Sequence, residues 1–363
     1  MRIGVPKEIK PQESRVGLTP GVVAQLVQEG HTVFVETKAG AGLRKPDKDY
    51  QKAGATILSS AEEVFAQSDL IVKVKEPQEI EWKRLTERHT LFTYLHLAPD
   101  PAQARGLMES GCTAIAYETV VGREGGLPLL APMSEVAGRM AAQVGAAALL
   151  APAGGRGLLM GGVPGVAPAK VVILGGGVSG VNAAEIAYGM RADVTVFDKF
   201  KAPLVAIDRM FQGGVTTRMA TPDAIEEAVL EADLVIGAVL VAGAAAPKLV
   251  TRGMLKRMKK GAVLVDISID QGGCFETSRP TTHAKPTYVV DGVVHYCVAN
   301  MPGAAPLTST YALNAVTAPY VSALAGKGMD RAFAEDPGFS KGLNVQKGRI
   351  MHAAVETALK GQV

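Results

Sequence analysis

The polar residues of this chain that could do chemistry sit at the ends of apolar runs. Lys75 ends DLIVKVK, His96 closes LFTYLHL, Asp198 ends VTVFD, and Asp270 follows AVLVDISI by a short step. Open α/β sheets bind ligands outside the carboxyl ends of their strands, so position alone selects these four. A histidine can move protons near neutral pH, a lysine can hold an anion, and a carboxylate can orient water or balance a developing cation. Two of the four have local competitors. Lys73 points to the same strand face as Lys75, where a solvated edge is the plainer reading, and Lys75 is preferred because it lies nearer the strand end. Asp266 lies inside its apolar strand, and Asp270, followed by Gln271-Gly272-Gly273, could simply open a turn. His31, His89, His283, His295 and His352 lack a comparable placement. Arg15 follows the first strand beside Glu13 and Ser14; its fork matches a carboxylate, although a lone loop arginine reads first as a surface residue.

A second constellation runs from Lys170 to Asp198. An apolar run, Val171 to Leu174, leads into Gly175-x-Gly177-x-x-Gly180, then a helical pattern, then the run Val194 to Phe197 ending in Asp198. The first glycine makes the tight turn, the second admits a pyrophosphate to the backbone at a helix N-terminus, and the third lets helix and strand pack closely. Asp198 falls where a carboxylate bonds the adenosine ribose, and its charge favours NAD over a 2′-phosphorylated cofactor. The one GxSxG match, Gly338-Phe339-Ser340-Lys341-Gly342, follows no apolar strand run and so makes no nucleophile elbow; there is no HExxH, and Val181-Asn182 stands where a phosphate loop needs Lys-Ser/Thr. Hydride transfer therefore ranks above hydrolysis or phosphoryl transfer.

The elements that must position these residues alternate strand and helix. Strands are expected at Ile3–Val5, His31–Glu36, Asp69–Lys75, Leu91–Leu97 and Cys112–Tyr117. A helix opens at Thr19-Pro20, and a capping box at Ser60-x-x-Glu63 starts another. A long helical pattern spans Ser134–Leu150, a Gly-rich connection runs from Gly154 to Gly165, and a second unit has strands near 171–174, 194–197, 234–239 and 262–267. Helices are expected at Ser309–Ala325 and Lys341–Leu359, returning to the first domain. AEEVFAQSDLIV at 61–72 echoes IEEAVLEADLVI at 225–236, as expected if both domains share one architecture. The fold class is α/β: two Rossmann-like, doubly wound domains facing a cleft. A discontinuous substrate domain takes 1–128 plus 307–363, and an NAD-binding domain takes 129–306.

At 363 residues the chain is long for one core. Its net charge of +3 is spread throughout, which gives no basic block for nucleic acid or a membrane surface. Cys112, Cys274 and Cys297 are too scattered for a disulfide framework or a zinc site; reduced thiols in the cytoplasm are expected, with no metal. The N-terminus has no apolar signal core, and the run Leu234–Ala246 is too short to span a membrane.

Longer segments are more specific. MRIGVPKE, SRVGLTP, VKVKEP, LFTYLHLAPDP, LPLLAPMSEVAGRMAAQVGA, DLVIGAVLVAGAAAPKLV, GAVLVDISIDQGGCFETSRPTTH and YCVANMPGAAPLTSTYAL, in order and across nearly the whole chain, resemble alanine dehydrogenases. The resemblance implies NAD-dependent interconversion of L-alanine with pyruvate and ammonium, usually by a homohexamer. It implies that Arg15 and Lys75 bind the substrate carboxylate, that His96 and Asp270 are catalytic, and that Met133 lines the substrate pocket. NAD contacts are implied for Ser134, Val178, Asp198, Val239, Leu240, Ile267, Asp270, Arg279 and the Val298-Ala299-Asn300-Met301 segment, beside Gly175, Gly177 and Gly180. Two positions depart from the family pattern: Pro203 and Ala220 stand where members often carry Lys and Ser beside the adenosine, with Lys199 or Lys201 as substitutes. The rival readings are the NAD-binding component of a proton-translocating transhydrogenase and a non-catalytic NAD-binding protein.

Overall fold

A computed structural model describes residues 1–239 and 246–363. In chain order their strands are β1 (Arg2–Val5), β2 (Thr32–Glu36), β3 (Thr56–Leu58), β4 (Leu70–Val72), β5 (Thr90–Thr93), β6 (Thr113–Ala116), β7 (Lys170–Leu174), β8 (Asp193–Asp198), β9 (Thr216–Met219), β10 (Leu234–Gly237), β11 (Val263–Asp266), β12 (Thr287–Val290), β13 (Val293–Tyr296), β14 (Leu343–Gln346) and β15 (Arg349–Ile350). The chain divides into two compact units: Met1–Met133 with Ala305–Val363, and Ser134–Ala304.

Both units are wound alike. The second unit's sheet runs β12-β13-β11-β10-β7-β8-β9, parallel except for β12. From β9 inward this is the order 3-2-1-4-5-6 of a dinucleotide-binding sheet, with an antiparallel strand added at the edge. The first unit's sheet runs β15-β14-β6-β5-β4-β1-β2-β3, the same six-strand order extended by an antiparallel pair. In the second unit, Val171 and Ile173 of β7 enter one apolar cluster while Val172 and Leu174 enter another. β10 and β11 alternate in the same way, so both faces of the sheet are buried and the strands are apolar throughout.

The sequence echo has a physical basis. Asp69 precedes β4, and its carboxylate accepts the Arg2 N–H at the start of β1 at 3.3 Å. Asp233 precedes β10 and accepts the Lys170 N–H at the start of β7 at 2.9 Å. Each Asp also donates its own N–H to the carbonyl of that same residue. In both units the aspartate ties the fourth strand to the first, on either side of the point where the winding reverses.

Three expectations need correction. Lys341–Leu359 is not one helix: Leu343–Gln346 and Arg349–Ile350 form a hairpin, and only Ala353–Leu359 is helical. Lys347 (φ 48°) and Gly348 (φ 73°) form a two-residue turn in the left-handed region, and this turn overrides the helical pattern. The second unit has β9, β12 and β13 beyond the four strands expected. The strands before the site are also shorter than expected: β4 ends at Val72 and β5 at Thr93, so Lys75 and His96 lie on the loops that follow. Among the described residues no helix is long and apolar enough to cross a membrane.

Candidate active site

In the first unit the switch point lies between β1 and β4, and the loops leaving β1, β4 and β5 carry Arg15, Lys75 and His96. Arg15 is 2% exposed, so the surface reading fails. Its Nε and Nη2 form a fork with Glu13 at 2.7 and 2.5 Å, and its Nη1 reaches Met133 Sδ at 3.0 Å. Burial opposes the charge, but the Glu13 carboxylate outweighs it and keeps the guanidinium protonated. Tyr94 lies in the same electrostatic neighbourhood, and burial drives its phenol far above the ordinary range. Its hydroxyl donates to the Leu129 carbonyl at 2.5 Å, and its ring stacks on His96 with centroids 5.7 Å apart and planes 7° apart. Arg15 thus rests on Met133, and His96 on Tyr94.

His96 is exposed and holds φ 48°, an uncommon conformation for a residue with a Cβ. Glu118 holds it there, accepting the His96 N–H at 2.7 Å and the Leu95 N–H at 3.2 Å. Neither Glu118 nor Tyr94 stands out in the sequence, because each acts only through a neighbour brought close by the fold.

Lys73 and Lys75 have different fates. Lys73 is fully buried and reaches Glu81 at 2.7 Å and Glu8 at 3.1 Å, so the solvated-edge reading fails for it. Burial works to lower its pKa, but the two carboxylates carry it up to about 12. Glu8 also accepts the Val74 N–H at 2.7 Å, which ties the loop after β1 to the loop after β4. Lys73→Met would leave Glu8 and Glu81 buried without their cation, at an expected cost of about 3–5 kcal/mol. Burial already raises the Glu8 pKa, so the folded state gains where that carboxyl holds a proton and loses as pH rises through its folded pKa. Melting curves at pH 5 and pH 8 should therefore show the larger deficit at pH 8; a constant deficit would count against the ion cluster as its source.

In the second unit the same loop positions carry the nucleotide signature. Gly175 follows β7 with φ 109°, and a Cβ there would lie 2.6 Å from the Ala238 carbonyl oxygen. Gly177 is the N-cap of the helix Val178–Gly189, and among the described residues a Cβ on it would meet nothing within 4 Å. A Cβ on Gly180 would lie 1.8 Å from the Gly175 carbonyl. The three glycines thus make the turn, leave an open approach and allow close packing, as a pyrophosphate on a helix N-terminus requires. Asp198 ends β8; its carboxylate accepts the Gly176 N–H and the Phe200 N–H, each at 2.8 Å. Pro203 lies against Gly176, and Ala220 donates its N–H to the Asp198 carbonyl, so both departures from the family pattern border this acid. Lys199 Nζ lies over the Phe200 ring, 4.8 Å from its centroid.

Asp270 is exposed in the 3₁₀ turn Ile267–Gln271 after β11, the topological counterpart of the His96 loop. Its competitor Asp266 is fully buried and accepts the N–H groups of Ser268 and Cys274 at 3.0 and 2.9 Å and the Ser278 hydroxyl at 2.5 Å. Burial raises the Asp266 pKa against these donors. Asp266 therefore shapes the segment that presents Asp270, as Glu118 shapes the one that presents His96. Ser268 bonds the Val239 carbonyl at 2.7 Å, joining the loops after β10 and β11. Ile267 is half-buried, Arg279 lies over the Tyr288 ring at 4.2 Å, and Ala299 bonds the Thr281 carbonyl. Asn300 holds φ 64°, whereas Val298 and Met301 are buried in the core. Ser134 is half-buried in the helix Ala131–Ala148, and Val178 is exposed at the helix N-terminus. Leu240 lies outside the described residues. Among the described residues no cluster of His, Cys, Asp and Glu is arranged to hold a metal ion.

Fold and site together define a two-unit α/β protein whose second unit is built for a dinucleotide. The family described as alanine dehydrogenase/PNT matches it twice, the N-terminal domain at residues 4–137 and the C-terminal domain at 141–353, and the chain belongs to that family. It is 58% identical over 358 residues to an alanine dehydrogenase of Halomonas elongata, covering 99% of this chain and 96% of that one. A solved L-alanine dehydrogenase superposes with a TM-score of 0.95 at 51% identity, covering 99% of both chains. A transhydrogenase structure from Sinorhizobium meliloti gives 0.79 at 26% identity, covering 98% of this chain and all of that one.

Proposed function

We propose that this chain catalyses the reversible, NAD-dependent oxidative deamination of L-alanine to pyruvate and ammonium. The observation that carries this reading is the division of labour between two sheets of one topology. The loops of the second unit carry the nucleotide glycines, while the matching loops of the first carry a buried guanidinium, a lysine and an exposed histidine. The stronger likeness to alanine dehydrogenases than to a transhydrogenase supports it.

When bound, NAD supplies the hydride acceptor; Gly175, Gly177, Gly180 and Asp198 would hold it, with Ser134, Val178, Val239, Leu240, Ile267, Arg279 and Val298 to Met301 as further contacts. Arg15 and Lys75 anchor the substrate carboxylate, and Met133, fixed against Arg15, limits side-chain size. His96 takes a proton from the water that adds to the iminium carbon, passes it to the carbinolamine nitrogen, and then takes the hydroxyl proton as the C–N bond breaks to leave pyruvate and ammonia. Asp270 orients that water or the amine and balances the cationic intermediate. The proposal includes the discontinuous substrate domain, a homohexameric assembly and a cytoplasmic setting. Deamination releases a proton, so alkaline solution favours it and the reductive direction gains nearer neutrality.

NAD reduction by the isolated chain tests the reading, with L-alanine, L-serine, L-2-aminobutyrate and L-lactate as substrates. Alanine is expected to lead, with 2-aminobutyrate behind it, one methylene being worth about 1–3 kcal/mol in such a pocket. Preference for lactate, or NADH binding without alanine-dependent turnover, would overturn it.

A further inference from the structure

Lys75 already has a counter-ion. Its Nζ lies 3.5 Å from Glu76 Oε2, an oxygen that is buried and accepts no hydrogen bond among the described residues. The other Glu76 oxygen pairs with Lys10, on the loop that leads to Arg15. Burial would raise the Glu76 pKa, but Lys75 and Lys10 outweigh it and keep the carboxylate charged. Arg15, for its part, is neutralised by the Glu13 fork. The charge that this end of the first unit offers an incoming anion is therefore set largely by the chain Lys10–Glu76–Lys75. An oxygen with no hydrogen bond of its own is a weak resting partner, from which an ammonium can turn to a better one.

We propose that Glu76 is a positioning residue that competes with the substrate carboxylate for Lys75, and that Lys10 moderates this competition. The inference rests on the role given to Lys75 above. Glu76 keeps Lys75 in place between turnovers and weakens its hold on anions, which speeds their release. Pyruvate carries a net negative charge and alanine arrives as a neutral zwitterion, so the effect falls mainly on pyruvate.

The two neighbours of Lys75 should act with opposite signs. Glu76→Gln is expected to lower KM for pyruvate by about three- to tenfold at low salt, with a smaller change for alanine. Lys10→Met, at a side chain 35% exposed, should raise it. Both effects should shrink as ionic strength rises, and Glu76→Gln should have no effect on KM in a Lys75→Met background. A purely structural role would raise KM in both single variants, and that result would overturn the inference. So would an unchanged KM in Glu76→Gln while Lys75→Met raises it, which leaves the role of Lys75 standing. An unchanged KM in Lys75→Met removes that role itself and the inference with it. Melting curves identify any variant that fails to fold; if Glu76→Gln does, the sign and salt dependence of Lys10→Met decide the matter.

Discussion

His96→Ala is expected to lower kcat by about 10²–10⁴-fold while NADH still binds. The expectation follows from how little the imidazole does for the fold. His96 is exposed, and its ring stacks on Tyr94. What the fold secures is its backbone, through the N–H bonds that Leu95 and His96 give to Glu118. A side chain aimed outward from a strained, well-held loop is placed for chemistry rather than packing. Asparagine tolerates the left-handed backbone better than alanine, so His96→Asn separates loss of the acid/base from loss of loop geometry. Both variants should melt near the parent temperature and titrate NADH fluorescence normally, yet turn over slowly in both directions. Near-parental turnover in His96→Asn would remove His96 from proton transfer. A large fall in NADH affinity would mean that the loop is doing something else.

What the sequence makes legible here is mostly local. The glycine fingerprint is legible because turn, cap and close packing follow from residues five apart. The aspartates before β4 and β10 show as an echo because each meets the same need at the same place in its sheet. Lys73 and Lys75 could not be separated with the same certainty. Two residues apart on one face, they look alike until the fold buries one between Glu8 and Glu81 and leaves the other beside Glu76. Arg15 read as a surface residue for the same reason: nothing near it in the sequence shows that Met133, from a distant segment, lies against its guanidinium. The Asp291-Gly292 pair between Val289-Val290 and Val293-Val294 is a hairpin signal, and both residues hold positive φ, so β12 and β13 were within reach of the sequence. The hairpin at Lys347-Gly348 is harder, because Val345 gains its strand preference by pairing with β6, far away in the chain.

Gly177 and Gly180, three residues apart, should separate stability from cofactor affinity. A methyl group on Gly180 would lie 1.8 Å from the Gly175 carbonyl oxygen, a backbone atom that cannot swing aside. Either the helix Val178–Gly189 backs away from β7 or the turn at Gly175 opens. Gly180→Ala should therefore destabilise the protein by about 1–3 kcal/mol, as overpacking does. It should also weaken NAD binding, because the helix N-terminus moves. At Gly177 a Cβ meets nothing within 4 Å among the described residues, and φ is −75°, which any residue accepts. Gly177→Ala should cost at most about 1 kcal/mol, for a poorer N-cap. Its methyl would occupy the space left open to a pyrophosphate, so NAD affinity should fall by about tenfold or more, about 1.4 kcal/mol or greater. The check is a melting temperature without NAD and an NAD titration for each variant. If Gly177→Ala binds NAD as the parent does, the pyrophosphate does not approach this turn. If Gly180→Ala melts with the parent, the helix has slack that the close packing at Gly175 denies. Loss of affinity without loss of stability at one glycine, and loss of both at the other, is the pattern that a dinucleotide on this helix N-terminus requires and that a merely Gly-rich turn does not.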